Sequence, residues 1–249
     1  MLNIVLSGFN GAMGKNLIEI IETSEGIQVS SGVDRTSNKA YNFDQFESFE
    51  SDGIKGDVII DFSHYSLVPS LLDYCDKTKT PAVICTTGLD EKTSKRIENL
   101  SSQVPLFLSG NMSLGINLMI DLIKKASEIL SYDFDVEIIE KHHNKKVDSP
   151  SGTALMLANA IKETASNKYF VHGREGNNTL RDKEEIGIHA VRGGTVVGEH
   201  QVIFAGTDEI IEIHHKATSK KVFAKGAIKA AIFLKDQKPG LYDMSSVIY

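Results

Sequence analysis

The sequence predicts an α/β chain in two parts: a doubly wound parallel sheet, then an α+β unit built on a mixed sheet. Three observations predict it. Short β-branched runs alternate with helical stretches over the first 110 residues, a three-glycine turn joins the first such pair, and the texture changes after Ser113. Strands separated by helical spacers favour parallel pairing, whereas strand-rich sequence with glycine turns favours antiparallel or mixed pairing.

Taken in order, "NIVLSG" (3–8) reads as a buried strand and 14–24 as a helix. Further strands are expected at 27–34, 57–63, 81–88 and 104–110, with helices over 66–78 and 90–101. The polar, aromatic stretch 36–52 reads as loop with at most a short helix. A long helix over 114–131 follows, with apolar residues at helical spacing: Leu118, Leu122, Ile123, Ala126 and Leu130. "FDVEIIEKHH" is a strand running into a second helix at 153–165, and 167–185 reads as loop. "IGIHAVRGG", "VGEHQVIFAG" and "DEIIEIHHKA" read as a three-strand meander, and "KVFAKGAIKAAIFL" (221–234) as a terminal helix that suits either part.

Composition narrows the function classes. The chain has 249 residues, is 41% hydrophobic and carries a net charge of −6 with its lysines spread out, so a nucleic-acid footprint is not expected. Nothing approaches the ~18 consecutive apolar residues of a membrane span. The start, "MLNIVLSGFNG", lacks a basic region and a cleavage site, and Cys75 and Cys85 stand alone, which together suit a cytoplasmic protein.

The turn "LSGFNGAMG" places Gly8, Gly11 and Gly14 between the first strand and first helix. This is where a Rossmann unit seats a pyrophosphate against a helix N-terminus. The spacing alone is a weak signal. Asp34, 20 residues after Gly14 at the end of the second strand, strengthens it as a ribose-binding carboxylate. Asp34 favours NAD, while Arg35 beside it admits the 2′-phosphate of NADP. "CTTG" (85–88) and "SGNMS" (109–113) put small polar residues at later strand ends, on the ligand side of such a sheet.

The stretch "EKHHNKKVDSPSGTA" (140–154) carries more chemistry than a strand-to-helix turn needs. Ser149 reads as a helix N-cap and Pro150 as the first helical residue. Ser151, Gly152 and Thr153 then offer first-turn N–H groups to a carboxylate, with Lys146 adding positive charge. His142 and His143 point to opposite faces if the strand continues, so a shared metal is not expected, and one of them suits a general acid.

That stretch resembles the pattern E-x-H-H-x-x-K-x-D-x-P-S-G-T-A of the dihydrodipicolinate reductase family. The glycine turn, "IDFS", "TTG", "GNMSLGIN", "GREG", "VRGG..VGEH", "HKATS" and "FAKGAIKAA" extend the resemblance over essentially the whole chain. It implies an NAD(P)H-dependent oxidoreductase of diaminopimelate and lysine biosynthesis, using NADH and/or NADPH. A dinucleotide-binding domain at 1–112 would be completed by 217–249, and 113–216 would bind substrate and assemble a homotetramer. The resemblance makes His142 the proton donor and Lys146 the catalytic lysine. It puts substrate contacts on His143, Gly152 and Thr153. Cofactor contacts fall on Gly8, Phe9, Asn10, Gly11, Ala12, Met13, Asp34, Arg35, Cys85, Thr86, Thr87, Ser109, Gly110, Asn111 and Met112, and closure is expected about 110–115 and 216–220. Ala12 stands where many relatives have a phosphate-binding arginine, Cys85 where glycine is frequent and would crowd the cofactor side, and Lys220 where arginine occurs. Another two-domain dehydrogenase and a non-catalytic NADH sensor are the rival readings.

Overall fold

The computed structural model describes residues 1–177 and 180–248. It divides into two compact units, Met1–Leu114 with Lys220–Tyr249, and Gly115–Ser219.

In the first unit the chain runs β1 (Leu2–Ser7), α1 (Ala12–Glu22), β2 (Ile27–Val33), β3 (Asp44–Phe46), β4 (Val58–Asp61), α2 (Val68–Thr78), β5 (Ala82–Ile84), α3 (Glu91–Ser101) and β6 (Pro105–Leu108). Helix α4 (Leu114–Leu130) leads into β7 (Asp135–His142), α5 (Gly152–Thr164), β8 (Tyr169–His172), β9 (Glu185–Arg192), β10 (Gly198–Ala205) and β11 (Ile210–Ala217). Then α6 (Lys221–Leu234), β12 (Gly240–Tyr242) and α7 (Ser245–Ile248) return to the first unit.

The first sheet has the order β12-β6-β5-β4-β1-β2-β3, every pair parallel. Its central strands β1, β4 and β5 are buried on both faces, which their near-continuous apolar runs require. One face is covered by α1 through Leu17, Ile18 and Ile21 and by α6 through Ala224, Ala227, Ala230 and Ala231. The run of small residues lets α6 lie close, and a fully buried leucine such as Leu17 contributes about 2–5 kcal/mol against alanine. The opposite face packs Leu71, Leu72 and Cys75 of α2 and Ile97 and Leu100 of α3. Asp90 caps α3 by accepting the Thr93 N–H at 2.7 Å.

The second sheet has the order β11-β10-β7-β9-β8. Its pairing differs from a meander. Only β10 and β11 form an antiparallel neighbour pair in sequence order, β7 lies between β10 and β9, and β7–β9 and β9–β8 are parallel. Strands β7 and β10 alternate buried residues with half-buried ones, apart from exposed Asp135 at the start of β7, so one face is covered more fully than the other. The covered face packs on α5 through Ala154, Leu157, Ala158 and Ile161 and on α4 through Ile116, Met119 and Ile123. Leu118 and Leu122 remain 47% and 45% exposed. Helix α4 has one polar stripe, Asn117, Asp121, Lys124 and Glu128, and an apolar arc wider than the sheet covers, so spacing alone does not choose which apolar residues turn inward.

Three strands fall where loop or unassigned tail was expected: β3 within 36–52, β8 within 167–185, and β12 after the terminal helix. All three are edge strands of three or four residues, too short to show a period.

Candidate functional site

In the first unit, β1 ends at Ser7 and the chain turns at Gly8, whose φ is +79°. A Cβ there would lie 2.7 Å from the Phe62 carbonyl oxygen, at the end of the neighbouring strand β4. A Cβ on Gly14 would lie 2.4 Å from the Gly8 carbonyl oxygen. Only glycine closes this turn against the adjacent strand and helix. Gly11 stands at the N-cap of α1 and supplies no side-chain cap, and the first turn holds no acidic residue. The first-turn N–H groups therefore face the point where β1 and β4 diverge to opposite sides of the sheet, the usual dinucleotide crevice.

Asp34 is held in place there. Its Oδ2 accepts the Asn10 N–H at 2.9 Å and its Oδ1 accepts the Arg35 N–H at 2.8 Å. The Asn10 side chain donates to the Thr36 carbonyl at 2.7 Å and accepts from Asn38 at 3.1 Å, tying the segment after β2 to the glycine turn. Ala12 and Arg35 are exposed. Phe9 is fully buried, edge-on to Tyr41 and Phe43, so only its backbone is offered to a ligand.

Asp61, at the end of β4, was not among the sequence-derived candidates. It is fully buried and accepts the Thr86 hydroxyl at 2.6 Å and the Ser63 N–H at 3.2 Å, fixing the end of β5. Thr87 and Gly110 are exposed, whereas Met112 is a core residue. Cys85 also belongs to the core, and burial pushes its thiol well above the usual range. Its side chain thus packs into that core. The Ser109 hydroxyl donates to the Asn111 carbonyl at 2.9 Å, and Asn111 Oδ1 accepts the Ser113 N–H at 2.9 Å. The glycine turn, uncapped helix and pinned carboxylate fit a dinucleotide cofactor.

In the second unit Glu140, His142 and Ser151 form a buried polar cluster on the covered face of the sheet. His142 Nδ1 lies 2.6 Å from Glu140 Oε2, two residues earlier on the same face of β7. Glu140, fully buried, also accepts the Ser151 N–H at 2.9 Å and both terminal nitrogens of Arg192 at 2.7 Å. Burial alone would raise the Glu140 carboxyl, but Arg192, His142 and the Ser151 N–H outweigh it and hold it below the usual range. Burial lowers the His142 pKa, with Glu140 opposing and the Lys146 and Arg192 charges adding to the depression.

Ser151, not Ser149, caps α5: its hydroxyl accepts the Ala154 N–H at 3.2 Å. The helix begins at Gly152, and Ser149–Pro150, a cis peptide, belongs to the turn before it. The Ser151 hydroxyl also lies 3.0 Å from His200 Nε2, and the His142 and His200 rings meet edge-on at 5.2 Å. Lys146 Nζ pairs with Asp148 at 2.7 Å. Burial would raise the Asp148 carboxyl, but Lys146 and the N–H groups of Asp148 and Gly152 hold it below its ordinary value. Gly152 is exposed and Thr153 half-buried, with nothing within 4 Å of a Cβ built on Gly152. His143 leaves the strand and is half-buried.

Glu140, Arg192 and His200 were missed as site residues from sequence, and Ser151, expected to offer its N–H to a carboxylate, instead gives that N–H to Glu140. Glu140 carried a local signal, the two-residue spacing to His142. Arg192 and His200 lie in the quoted motif "VRGG..VGEH", but nothing in it ties them to His142, because the pairing of β9 and β10 on either side of β7 brings them in.

An all-parallel doubly wound sheet with a glycine turn at its switch point, in a chain whose second unit carries a buried histidine–carboxylate pair, defines an oxidoreductase of the dinucleotide-binding class. Comparison narrows the class. The family model described as dihydrodipicolinate reductase, N-terminus, matches residues 2–112, and its C-terminus counterpart matches 115–248. The 4-hydroxy-tetrahydrodipicolinate reductase of Clostridium tetani is 47% identical over 249 residues, covering 100% of this chain and 97% of that protein. That of Brachyspira hyodysenteriae is 48% identical over 248 residues, covering 99% and 100%. Among solved structures, a dipicolinate-bound dihydrodipicolinate reductase from Paenisporosarcina sp. TG-14 superposes with a TM-score of 0.83 at 23% identity over the whole of both chains. A probable dehydrogenase from Thermotoga maritima reaches 0.64 at 12% identity, covering 99% of this chain and 92% of that one. The chain belongs to the dihydrodipicolinate reductase family.

Proposed function

We propose that the protein is a 4-hydroxy-tetrahydrodipicolinate reductase, acting with NADH or NADPH in diaminopimelate and lysine biosynthesis. The observation that carries this reading is the buried His142–Glu140 pair beside Lys146, at the N-terminus of a helix that opens with Gly152 and Thr153.

The substrate is a hydroxylated cyclic imine with two carboxylates; loss of its hydroxyl as water leaves a conjugated carbon–carbon double bond, across which the reaction adds a hydride and a proton. The cofactor, held by the Gly8–Met13 turn, Asp34 with Arg35, Cys85–Thr87 and Ser109–Met112, supplies the hydride. His142 gives the proton to the adjacent carbon, and a positioned acid of this kind contributes about 10²–10⁴-fold in rate. Lys146 stabilises negative charge developing on the ring nitrogen side. Gly152 and Thr153 N–H groups with His143 receive a substrate carboxylate, since a helix N-terminus favours an anion.

Residues 1–112 with 217–249 serve as the dinucleotide-binding domain in this reading, and 113–216 as the substrate-binding and assembly domain. A homotetramer is supported by the open face of the second sheet, where Val191 is 47% exposed. No helix among the described residues is long and apolar enough to cross a membrane, and we place the enzyme in the cytoplasm.

The test follows nicotinamide absorbance with the heterocycle generated in place from pyruvate and aspartate semialdehyde. Oxidation that requires the heterocycle, and that falls at least about 100-fold in His142→Gln with cofactor affinity unchanged, is expected. Equal losses of turnover and cofactor affinity, or no oxidation despite NADH binding, would overturn the reading.

A further inference from the structure

Arg192 sits at a junction that the proposed chemistry does not use directly. Its two terminal nitrogens take both oxygens of Glu140 at 2.7 Å, and Nη2 also donates to the Asp148 carbonyl at 2.8 Å. Glu140 is the partner of His142, and Asp148 is the partner of Lys146. One guanidinium therefore joins the supports of both side chains assigned to proton chemistry. The backbone after it does the same: Gly193 N–H donates to the His142 carbonyl at 2.9 Å and Asn144 N–H to the Gly194 carbonyl at 3.2 Å. The arrangement is buried at its centre, with Glu140 fully enclosed and His142 9% exposed.

We propose that Arg192 and Glu140 form a positioning pair: Glu140 accepts the Nδ1–H of His142, leaving Nε2 as the nitrogen that gives and regains the catalytic proton, and Arg192 holds Glu140 and the Lys146 loop in register. The inference rests on the reductase reading for its catalytic consequence, but its structural content does not.

The tautomer follows from the donor inventory. An ionised carboxylate only accepts, so the 2.6 Å contact requires a proton on Nδ1 of His142. A carboxylate bound to one ring nitrogen orients the imidazole and stabilises its protonated form. Arg192 works against part of that stabilisation, because it shares the same carboxylate and adds a positive charge of its own. The titratable and charged groups around His142 are Glu140 on β7, Arg192 on β9, His200 on β10, and Lys146 on the loop. Of these, Glu140 alone favours the imidazolium, so the two members of the pair pull the acidity of His142 in opposite directions. That opposition separates positioning from mere scaffolding. Replacing Glu140 by glutamine keeps the volume and removes the anion, so His142 should lose its proton at lower pH. Replacing Arg192 by glutamine frees the carboxylate for His142, so His142 should hold its proton to higher pH.

Histidine-selective ¹⁵N labelling of the full chain reads both quantities without turnover. In the unsubstituted protein the neutral form of His142, assigned by its loss in His142→Gln, should carry its proton on Nδ1. Its titration midpoint should move down in Glu140→Gln and up in Arg192→Gln. In the same variants kcat should fall at least about tenfold, a share of what a positioned acid contributes, with the KM for cofactor little changed. Arg192→Lys, which keeps the charge and loses the fork, should lose kcat while leaving the titration near its original place. A proton on Nε2 in the neutral form, or shifts of the same sign in the two glutamine variants, would overturn the proposal. Should Arg192→Gln fail to fold, the Glu140→Gln midpoint and the tautomer decide it. Correct tautomer and shifts with no reductase activity would instead overturn the reductase reading and leave the pair standing.

Discussion

Lowering the pH from 7 to 5 should destabilise this protein through His200, well before its carboxylates titrate. His200 lies on β10, 4% exposed, with Nε2 3.0 Å from a Ser151 hydroxyl that already accepts the Ala154 N–H. Its pKa falls from 6.5 to about 3, chiefly through burial, with the neighbouring His142, His215 and Lys146 adding to the fall and Glu140 opposing it. A histidine with a depressed folded pKa gives full stability above its unfolded pKa. That stability is lost as the pH falls from about 6.5 toward about 3, because the unfolded chain binds the proton first. The slope is about 1.4 kcal/mol per pH unit, so the change from pH 7 to 5 costs about 2 kcal/mol at this side chain. Glu137, Glu140 and Glu199 are held below their ordinary value of 4.5 and contribute only at lower pH. His142 and His215, also depressed, act in the same window and direction. The variant His200→Gln isolates the term, since its amide can still meet the Ser151 hydroxyl. Urea unfolding followed by circular dichroism at pH 7, 6 and 5, at one ionic strength and one protein concentration, measures it. The stability lost between pH 7 and 5 should be about 2 kcal/mol smaller in the variant. Equal losses in the two proteins would refute the reasoning.

Two further outcomes test the nucleotide half. Gly8→Ala forces a Cβ to 2.7 Å from the Phe62 carbonyl oxygen at φ +79°, so a strain of about 1–3 kcal/mol and at least about a tenfold loss of NADH affinity are expected by fluorescence titration. Unchanged affinity would count against the turn as the pyrophosphate seat. Asp34→Ser removes a carboxylate held by the Asn10 and Arg35 N–H groups, and should raise the NADPH-to-NADH ratio of kcat/KM about tenfold. A fixed ratio would place cofactor choice elsewhere.

Much of the fold was legible because its signals are local. The central strands are unbroken apolar runs, α6 occupies 221–234 as its apolar spacing required, and the glycine turn joins β1 to α1. The strands that escaped notice, β3, β8 and β12, lie at sheet edges, where a strand has one partner and needs little apolar sequence. Of the spaced α4 residues, Ile123, Ala126 and Leu130 meet the core while Leu118 and Leu122 do not, since the helix offers more apolar residues than the core takes up. Helix α5 starts at Gly152, within a residue of the expected 153, but its cap is Ser151 instead of Ser149, because Ser151 has its N–H taken by Glu140 and its hydroxyl by the Ala154 N–H.

The candidate site divides along the same line. Sequence alone determined the glycine turn, the strand-end Asp34 and the grouping of His142, Lys146, Gly152 and Thr153, because each lies within one strand-to-helix connection. Tertiary structure decided what surrounds His142. Arg192 and His200 are 50 and 58 residues further along the chain and arrive because β7 is hydrogen-bonded to β9 on one side and β10 on the other. That order follows from burying one face of a five-stranded sheet under α4 and α5, a long-range balance of packing that no short stretch of sequence encodes.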